Sequence, residues 1–177
     1  MKNPFVTNGY VSPEYFCDRE KETAKIVSLL TNENNIALIS PRRLGKTDLL
    51  RHCFGQPEIK EHYHTFIIDI YATSSVRDFV NVFGKAVLDE LRPKGKSVWW
   101  TCLNVLASLR SEITFDMNGQ PTWGIGLGAI TNPSATLDEI FSYLNNAGKP
   151  CLIAIDEFQQ ITKYADDPNI EAALRTH

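Results

Sequence analysis

A chain of 177 residues can bury one hydrophobic core, and 43% hydrophobic with 22% charged residues is typical of a globular domain. A net charge of −3 lacks the basic excess of most nucleic-acid clamps. The four cysteines lie too far apart for paired zinc ligands. With no signal-peptide pattern and no membrane-length apolar run, we expect a cytoplasmic protein with reduced thiols.

Alternating helices and strands are predicted along the first half of the chain. Asp18 to Leu30 has the composition and apolar spacing of a helix. The continuous apolar run from Ile36 to Ile39 is typical of a strand covered on both faces. A helix is predicted from Gly45 to Phe54, and Gly55 to Glu58 should end it. His64 to Ala72 predicts a second buried strand.

The second half predicts further helices and one more buried strand. Ser75 can cap a helix whose apolar residues recur at three- and four-residue steps up to Leu91. The other expected elements are helices at Val98–Leu109, Thr136–Asn145 and Ile170–Arg175 and a strand at Cys151–Ile155. We expect Cys151 to be buried as a small hydrophobic residue.

Residues 112–130 differ from the rest and predict a β-hairpin. Ile113 and Phe115 alternate with polar residues, and Asn118-Gly119 is a strong hairpin turn signal. Glycines at 124, 126 and 128 fit a bulged strand better than a dinucleotide-binding loop, because their spacing is wrong and no helix follows directly. The whole order of elements predicts an α/β domain with a mostly parallel sheet.

The segment "SPRRLGKT", from Ser40 to Thr47, nearly matches the phosphate-binding pattern G-x-x-x-x-G-K-[ST], with Ser40 in place of the first glycine. Such a loop presents backbone N–H groups and a helix N-terminus to phosphates. Lys46 would reach the β- and γ-phosphates, and Thr47 would hold Mg²⁺. Because Pro41 biases the preceding residue toward extended conformations, Ser40 should not need a positive φ.

Two acids, Asp156 and Glu157, follow the last predicted strand. A carboxylate at a strand end can hold Mg²⁺, and the next can polarise a water for attack on the γ-phosphate. Two acids in a loop are common by themselves, so the upstream strand–loop–helix is what favours an ATPase. A guanine-specific Asn-Lys-x-Asp motif is absent, since Lys163 is followed by Tyr164 and Ala165, and adenine is therefore favoured.

"SPRRLGKTDLL" and "CLIAIDEFQQI" resemble the Walker A and Walker B motifs of AAA+/STAND-type ATPases, and most closely those of the archaeal-type ATPases also found in bacteria. "NPFVTNGYVSPEYFCDREKET" resembles their N-terminal box, with Asp18 where glycine is usual. The resemblance implies one P-loop domain of three α/β/α layers with an inserted hairpin. Its parts would be a nucleotide-border segment (1–23), the Walker A unit (36–50), the hairpin (112–130) and the Walker B unit (151–161).

The same resemblance implies ATP and Mg²⁺ as ligands and assigns roles to individual residues. Lys46 and Glu157 would be catalytic, and Thr47 and Asp156 would hold the metal. The residues expected to bind nucleotide are Arg19, Ser40, Pro41, Arg42, Arg43, Leu44, Gly45, Lys46, Thr47 and Asp48. Arg19 would lie beside the base or ribose; the alternative is an ion pair on the helix surface.

In the family resembled, a sensor strand and a helical lid follow Walker B, and that strand lies between the strands bearing the two motifs. We therefore expect an incomplete domain, the N-terminal part of a longer protein, whose isolated hydrolysis is near background. The predicted function is an ATP-hydrolysing switch or motor. The alternatives are a nucleotide-binding regulatory or interaction scaffold with little or no hydrolysis, and an interaction module whose hairpin and Trp99–Trp100 region bind a partner. Self-association and a protein partner bound through the missing C-terminal region are expected, whereas no basic patch indicates nucleic acid.

Overall fold

A computed structural model of the chain describes residues 16, 19–41, 44–91, 113–115, 121–123, 133–165 and 170–176. Its helices are α1 (Glu20–Thr31), α2 (Lys46–Phe54), α3 (Pro57–Lys60), α4 (Val76–Glu90), α5 (Pro133–Asn145) and α6 (Ile170–Thr176), with a 3₁₀ helix at Phe158–Lys163. Its strands are β1 (His64–Asp69), β2 (Ile113–Phe115), β3 (Pro121–Trp123) and β4 (Cys151–Asp156). The helix expected at 98–109 lies outside the described residues.

The chain divides into two compact units, and the first, residues 1–65, is built around α1 and α2. Its core consists of Ile26, Leu49 and Cys53, and burial raises the pKa of the Cys53 thiol. Both of these helices were predicted. The segment expected only to end α2 instead forms the short helix α3, because Pro57 favours the first helical turn and Ile59 is fully buried.

The apolar run before the Walker A segment is not the strand that the sequence predicted. Residues 36–40 have no regular secondary structure, and burial alternates along them. Ile36 and Leu38 pack against the core of the first unit, whereas Ile39 is 93% exposed. A period of two is what an extended segment with one covered face produces. The prediction of a strand covered on both faces is therefore wrong, since none of the described strands pairs with this segment.

The second unit, residues 66–177, holds the larger core, formed mainly by β1, α4 and α5. Phe79, Phe83 and Val87 recur along one face of α4 and are buried. They share a hydrophobic cluster with Leu137 and Ile140 of α5. The helical periodicity of α4 was read correctly from the sequence because large apolar side chains recur along its buried face.

The N-terminus of α4 is stabilised by the cap that the sequence predicted. The Ser75 hydroxyl accepts a hydrogen bond from the backbone N–H of Asp78 (3.1 Å). The Asp78 carboxylate in turn accepts from the Ser74 N–H (2.9 Å) and the Ser74 hydroxyl (2.8 Å). These donors hold the pKa of Asp78 below its ordinary value, with the Ser74 N–H contributing most.

The described strands form two small sheets. Strands β1 and β4 are parallel neighbours, and the N–H of Ile70 donates to the carbonyl of Asp156 at their carboxyl ends (3.3 Å). Strands β2 and β3 are antiparallel, with Ile113 opposite Trp123, so a hairpin is confirmed there. The Asn118-Gly119 turn itself is outside the described residues. The described parallel sheet is smaller than predicted because residues 36–39 do not join it.

Two strands of the second unit differ from their predictions in extent or burial. Strand β1 stops at Asp69, three residues early, because the Asp69 carboxylate accepts from the Tyr71 N–H (2.9 Å) and begins a turn. Strand β4 is only half-buried throughout, Cys151 included, although full burial was expected. Cys151, Ile153 and Ile155 share the face that packs against the core, and partial burial raises the pKa of the Cys151 thiol.

Candidate nucleotide-binding site

In the segment that resembles Walker A, the side chain of Lys46 folds back onto the loop before it. The Lys46 ammonium donates to the carbonyl oxygens of Ser40 (3.0 Å) and Pro41 (3.4 Å). The Ser40 hydroxyl also donates to the Pro41 carbonyl (3.4 Å). Lys46 thus draws together the two ends of the loop and keeps its positive charge within it. Arg42 and Arg43 lie outside the described residues.

Gly45 makes the turn that starts α2. Its backbone is left-handed, with φ 66° and ψ 34°, and its carbonyl accepts from the Leu49 N–H (2.9 Å). A Cβ built here would meet no atom of the described residues within 4 Å, so conformation and not space demands glycine. Thr47 and Asp48 occupy the first helical turn, where anions bind most favourably. Leu44, just before the turn, is half exposed.

Ser40 behaves as the sequence suggested in one respect. Among the described residues other than glycine, positive φ occurs at Glu33 and Glu157, so Ser40 does not adopt it. A glycine is not required at this position by backbone conformation. The expectation that Ser40 continues a strand is wrong, because the segment before it is not a strand.

In the segment that resembles the N-terminal box, the structure describes Phe16 and residues 19–23. Arg19 precedes α1 and forms an ion pair with Glu22, with 3.1 Å between Nε and Oε2, as the surface alternative anticipated. The Phe16 ring stacks on the His52 ring of α2, with centroids 4.1 Å apart and 14° between planes. The sequence did not predict the stacking of His52 on Phe16, because nothing in the local pattern of α2 indicates which ring would pack against it.

The acidic pair lies where β4 ends. Asp156 is the last residue of the strand, and its Oδ1 accepts from the Glu157 N–H (3.0 Å). Glu157 is left-handed, with φ 58° and ψ 37°, and precedes the 3₁₀ helix. Its carbonyl accepts from the Gln160 N–H (2.8 Å). The chain therefore turns sharply at the glutamate expected to activate water.

Two glutamines after this turn were not singled out as site residues by the sequence. The Gln159 side-chain amide donates to Oε2 of Glu157. The Gln160 side-chain amide donates to the carbonyls of Tyr71 (3.1 Å) and Thr73 (3.3 Å), in the loop after β1. The sequence could have indicated them only by their position directly after the acidic pair. Their hydrogen-bond partners depend on the conformation of the turn, which the local pattern does not predict.

A family model described as an ATPase domain predominantly from Archaea matches residues 16–174. The chain belongs to this family. It is 26% identical over 160 residues to the uncharacterized ATP-binding protein MJ1659 of Methanocaldococcus jannaschii, covering 85% of this chain and 44% of that protein. It is 27% identical over 157 residues to the uncharacterized ATP-binding protein MJ0147 of the same organism, covering 82% of this chain and 40% of that protein. No solved structure matches the chain significantly.

The two residues expected to hold magnesium carry oxygen atoms of the kind that this ion prefers. No cluster of three His, Cys, Asp or Glu side chains occurs in the parts of the chain that the structure describes. Mg²⁺ is usually bound by one or two protein oxygens together with phosphates and water. The Thr47 hydroxyl and the Asp156 carboxylate each offer an oxygen of that kind.

None of the helices in the described ranges has both the length and the apolar character needed to cross a membrane. The two cysteines among the described residues, Cys53 and Cys151, are free thiols.

Proposed function

We propose that this ATPase domain binds ATP with Mg²⁺ and hydrolyses it, as a nucleotide-dependent switch with the three-layer P-loop fold. Membership of the family and the description of both relatives as ATP-binding proteins support this proposal. ATP would bind the segment Ser40–Thr47 and the first turn of α2, with Arg19 near the base or ribose. The residues proposed to contact ATP are therefore Arg19 and residues 40–48.

The observation that carries the proposal is the loop geometry at Lys46. Its ammonium is held by two neutral carbonyls, at 3.0 and 3.4 Å, beside the left-handed Gly45 that opens α2. Hydrogen bonds between charged partners are stronger than bonds from a charged donor to a neutral carbonyl. The β- and γ-phosphates would therefore compete well for this ammonium, and Lys46 would stabilise the charge that develops during transfer.

Hydrolysis would depend on the acidic pair. Asp156, with Thr47, would hold Mg²⁺, which neutralises phosphate charge when bound. Glu157 would accept a proton from the water that attacks the γ-phosphorus, as the P–O bond to ADP breaks and ADP leaves. The left-handed turn fixes the backbone from which this carboxylate extends.

Calorimetric titration with Mg²⁺-ATP tests the binding step. Lys46→Ala should weaken ATP affinity at least tenfold, about 1.4 kcal/mol, because it removes a charge facing phosphate. Lys60→Ala is the matched control, since Lys60 is exposed on α3, and should leave affinity unchanged. Equal affinity of wild type and Lys46→Ala would contradict the proposal.

Phosphate release separates the switch from the scaffold. Glu157→Gln keeps shape but loses the basic carboxylate, so it should bind ATP like wild type and release less phosphate. Because residues 1–177 alone are expected to release phosphate near background, the single-turnover comparison is made in a longer protein that includes the expected sensor strand and lid. A wild type that binds ATP there yet releases no more phosphate than Glu157→Gln would favour a nucleotide-binding regulatory scaffold instead.

A further inference from the structure

The side chain of Gln159 turns back toward the carboxylate that the proposed reaction uses. Its amide nitrogen, Nε2, donates to Oε2 of Glu157, two residues earlier. Gln159 itself is exposed, so this bond is not needed to satisfy a buried polar group. An exposed amide could point to solvent, and its direction toward Glu157 requires another explanation.

The backbone of Glu157 is already held from both sides. Its N–H donates to Asp156 Oδ1 (3.0 Å), and its carbonyl accepts from the Gln160 N–H (2.8 Å). The freedom that remains lies in the side-chain torsions, which for glutamate span many rotamers. A hydrogen bond to the carboxylate restricts those torsions, and the Gln159 amide provides one.

The neighbouring Gln160 shows that the two glutamines have different tasks. Its amide binds the carbonyls of Tyr71 and Thr73, and its Oε1 accepts from the Lys163 ammonium (2.8 Å). Gln160 thereby anchors the 3₁₀ helix to the loop after β1. With about three residues per turn, adjacent residues of a 3₁₀ helix point in different directions, which leaves Gln159 free to face Glu157.

We propose that Gln159 is a positioning residue that holds the Glu157 carboxylate in the orientation needed to accept a proton from the attacking water. The inference rests on the proposed ATP hydrolysis and deepens it. Gln159 acts through Glu157 and touches neither phosphate nor metal in this role. Its loss should lower the rate of the chemical step without weakening nucleotide binding, because small misplacements of catalytic groups slow reactions strongly.

The test compares wild type with Gln159→Leu, Glu157→Gln and the double variant in single-turnover phosphate release and in calorimetric ATP binding. The rates are measured in the longer protein used to test hydrolysis, because residues 1–177 alone are expected to turn over near background. Gln159→Leu should slow release by about tenfold or more, with ATP affinity within about twofold of wild type. In the Glu157→Gln background, the same substitution should have no further effect. An unchanged or faster rate in Gln159→Leu, or a full additional loss in the double variant, would overturn the inference.

A second readout does not depend on turnover. Aluminium fluoride with Mg²⁺-ADP imitates the transferring phosphoryl group and its attacking water. Gln159→Leu and Glu157→Gln should each weaken binding of this analogue about tenfold relative to Mg²⁺-ADP alone. If Glu157→Gln weakens it and Gln159→Leu does not, the inference fails while the proposed function stands. If Glu157→Gln changes neither analogue binding nor rate, the proposed hydrolysis fails, and the inference with it.

Gln160→Leu is the matched control for a merely structural role. It removes bonds to two backbone carbonyls and should lower the melting temperature, whereas Gln159→Leu should leave it within a degree or two of wild type. A Gln159→Leu variant that melts as low as Gln160→Leu would make the rate loss a consequence of local unfolding and would overturn the positioning role.

Discussion

Among the described residues, the segments proposed as Walker A and Walker B each contain one residue with a left-handed backbone, and the two residues differ in kind. Gly45 has φ 66° and ψ 34°, and Glu157 has φ 58° and ψ 37°, so the conformations nearly coincide. Glycine adopts this conformation at no steric cost. For glutamate it is unfavourable by about 1–2 kcal/mol, because the Cβ crowds the backbone.

The contrast shows how a protein keeps an unfavourable turn where chemistry needs a side chain. Phosphate binding uses backbone N–H groups, so the Walker A turn can be glycine. In the proposed mechanism water activation needs a carboxylate, and the turn at the end of β4 carries Glu157 and is stabilised by neighbouring residues instead. The Asp156 carboxylate binds its N–H, and the Gln159 amide binds its side chain. Strained residues often mark functional sites for this reason.

The largest effect is expected from alanine at the glycine turn. Gly45→Ala should lower the free energy of unfolding by about 1 kcal/mol and weaken ATP binding more than tenfold, because the loop must leave its phosphate-binding shape. Gly148→Ala is the control, since Gly148 also has positive φ (80°) and room for a Cβ. It should be destabilised to a similar degree but bind ATP normally in calorimetry. Normal ATP binding by Gly45→Ala would show that the turn is dispensable.

A smaller effect is expected at the glutamate turn. Alanine variants are usually more stable than glycine variants, and at this position the order of stability should reverse. Glu157→Gly should be more stable than Glu157→Ala by about 1 kcal/mol in denaturant unfolding, because only glycine is unstrained there. Exposed Thr162, within the 3₁₀ helix, offers the control, and alanine should be the more stable substitution at that position. If alanine were favoured at both positions, the turn at Glu157 would not carry the strain inferred here.

The smallest effect is expected at the position where the Walker A pattern lacks its first glycine. Ser40→Gly should change ATP affinity by less than tenfold, under about 1.4 kcal/mol, because Ser40 does not have positive φ. The same calorimetric titration measures it. A gain in ATP affinity of more than tenfold would mean that serine impairs the loop. Ser40 would then be unfavourable to its loop, as Glu157 is to its turn.

Local patterns predicted the elements whose stability is local. The helices at α1, α2 and α4, the Ser75 cap and the hairpin of β2 and β3 follow from propensities, periodicity and turn residues within a few positions. Membership of the ATPase family likewise followed from short motifs, since phosphate binding demands particular residues at fixed spacing. The site roles of Lys46, Thr47, Asp156 and Glu157 remain predictions, and the variants of Lys46 and Glu157 test two of them.

Tertiary structure alone decided the features that depend on distant partners. An apolar run becomes a strand only when another strand supplies its hydrogen bonds, and Cys151–Asp156 has that partner in β1 whereas the described strands give residues 36–39 none. Gln160 likewise finds carbonyls about ninety positions earlier in the chain. The amino-acid sequence by itself determined the motifs and the helices, because those are set by neighbours along the chain. Strand pairing, and the contacts of Gln160 with the loop after β1, were set by partners that meet only in the fold.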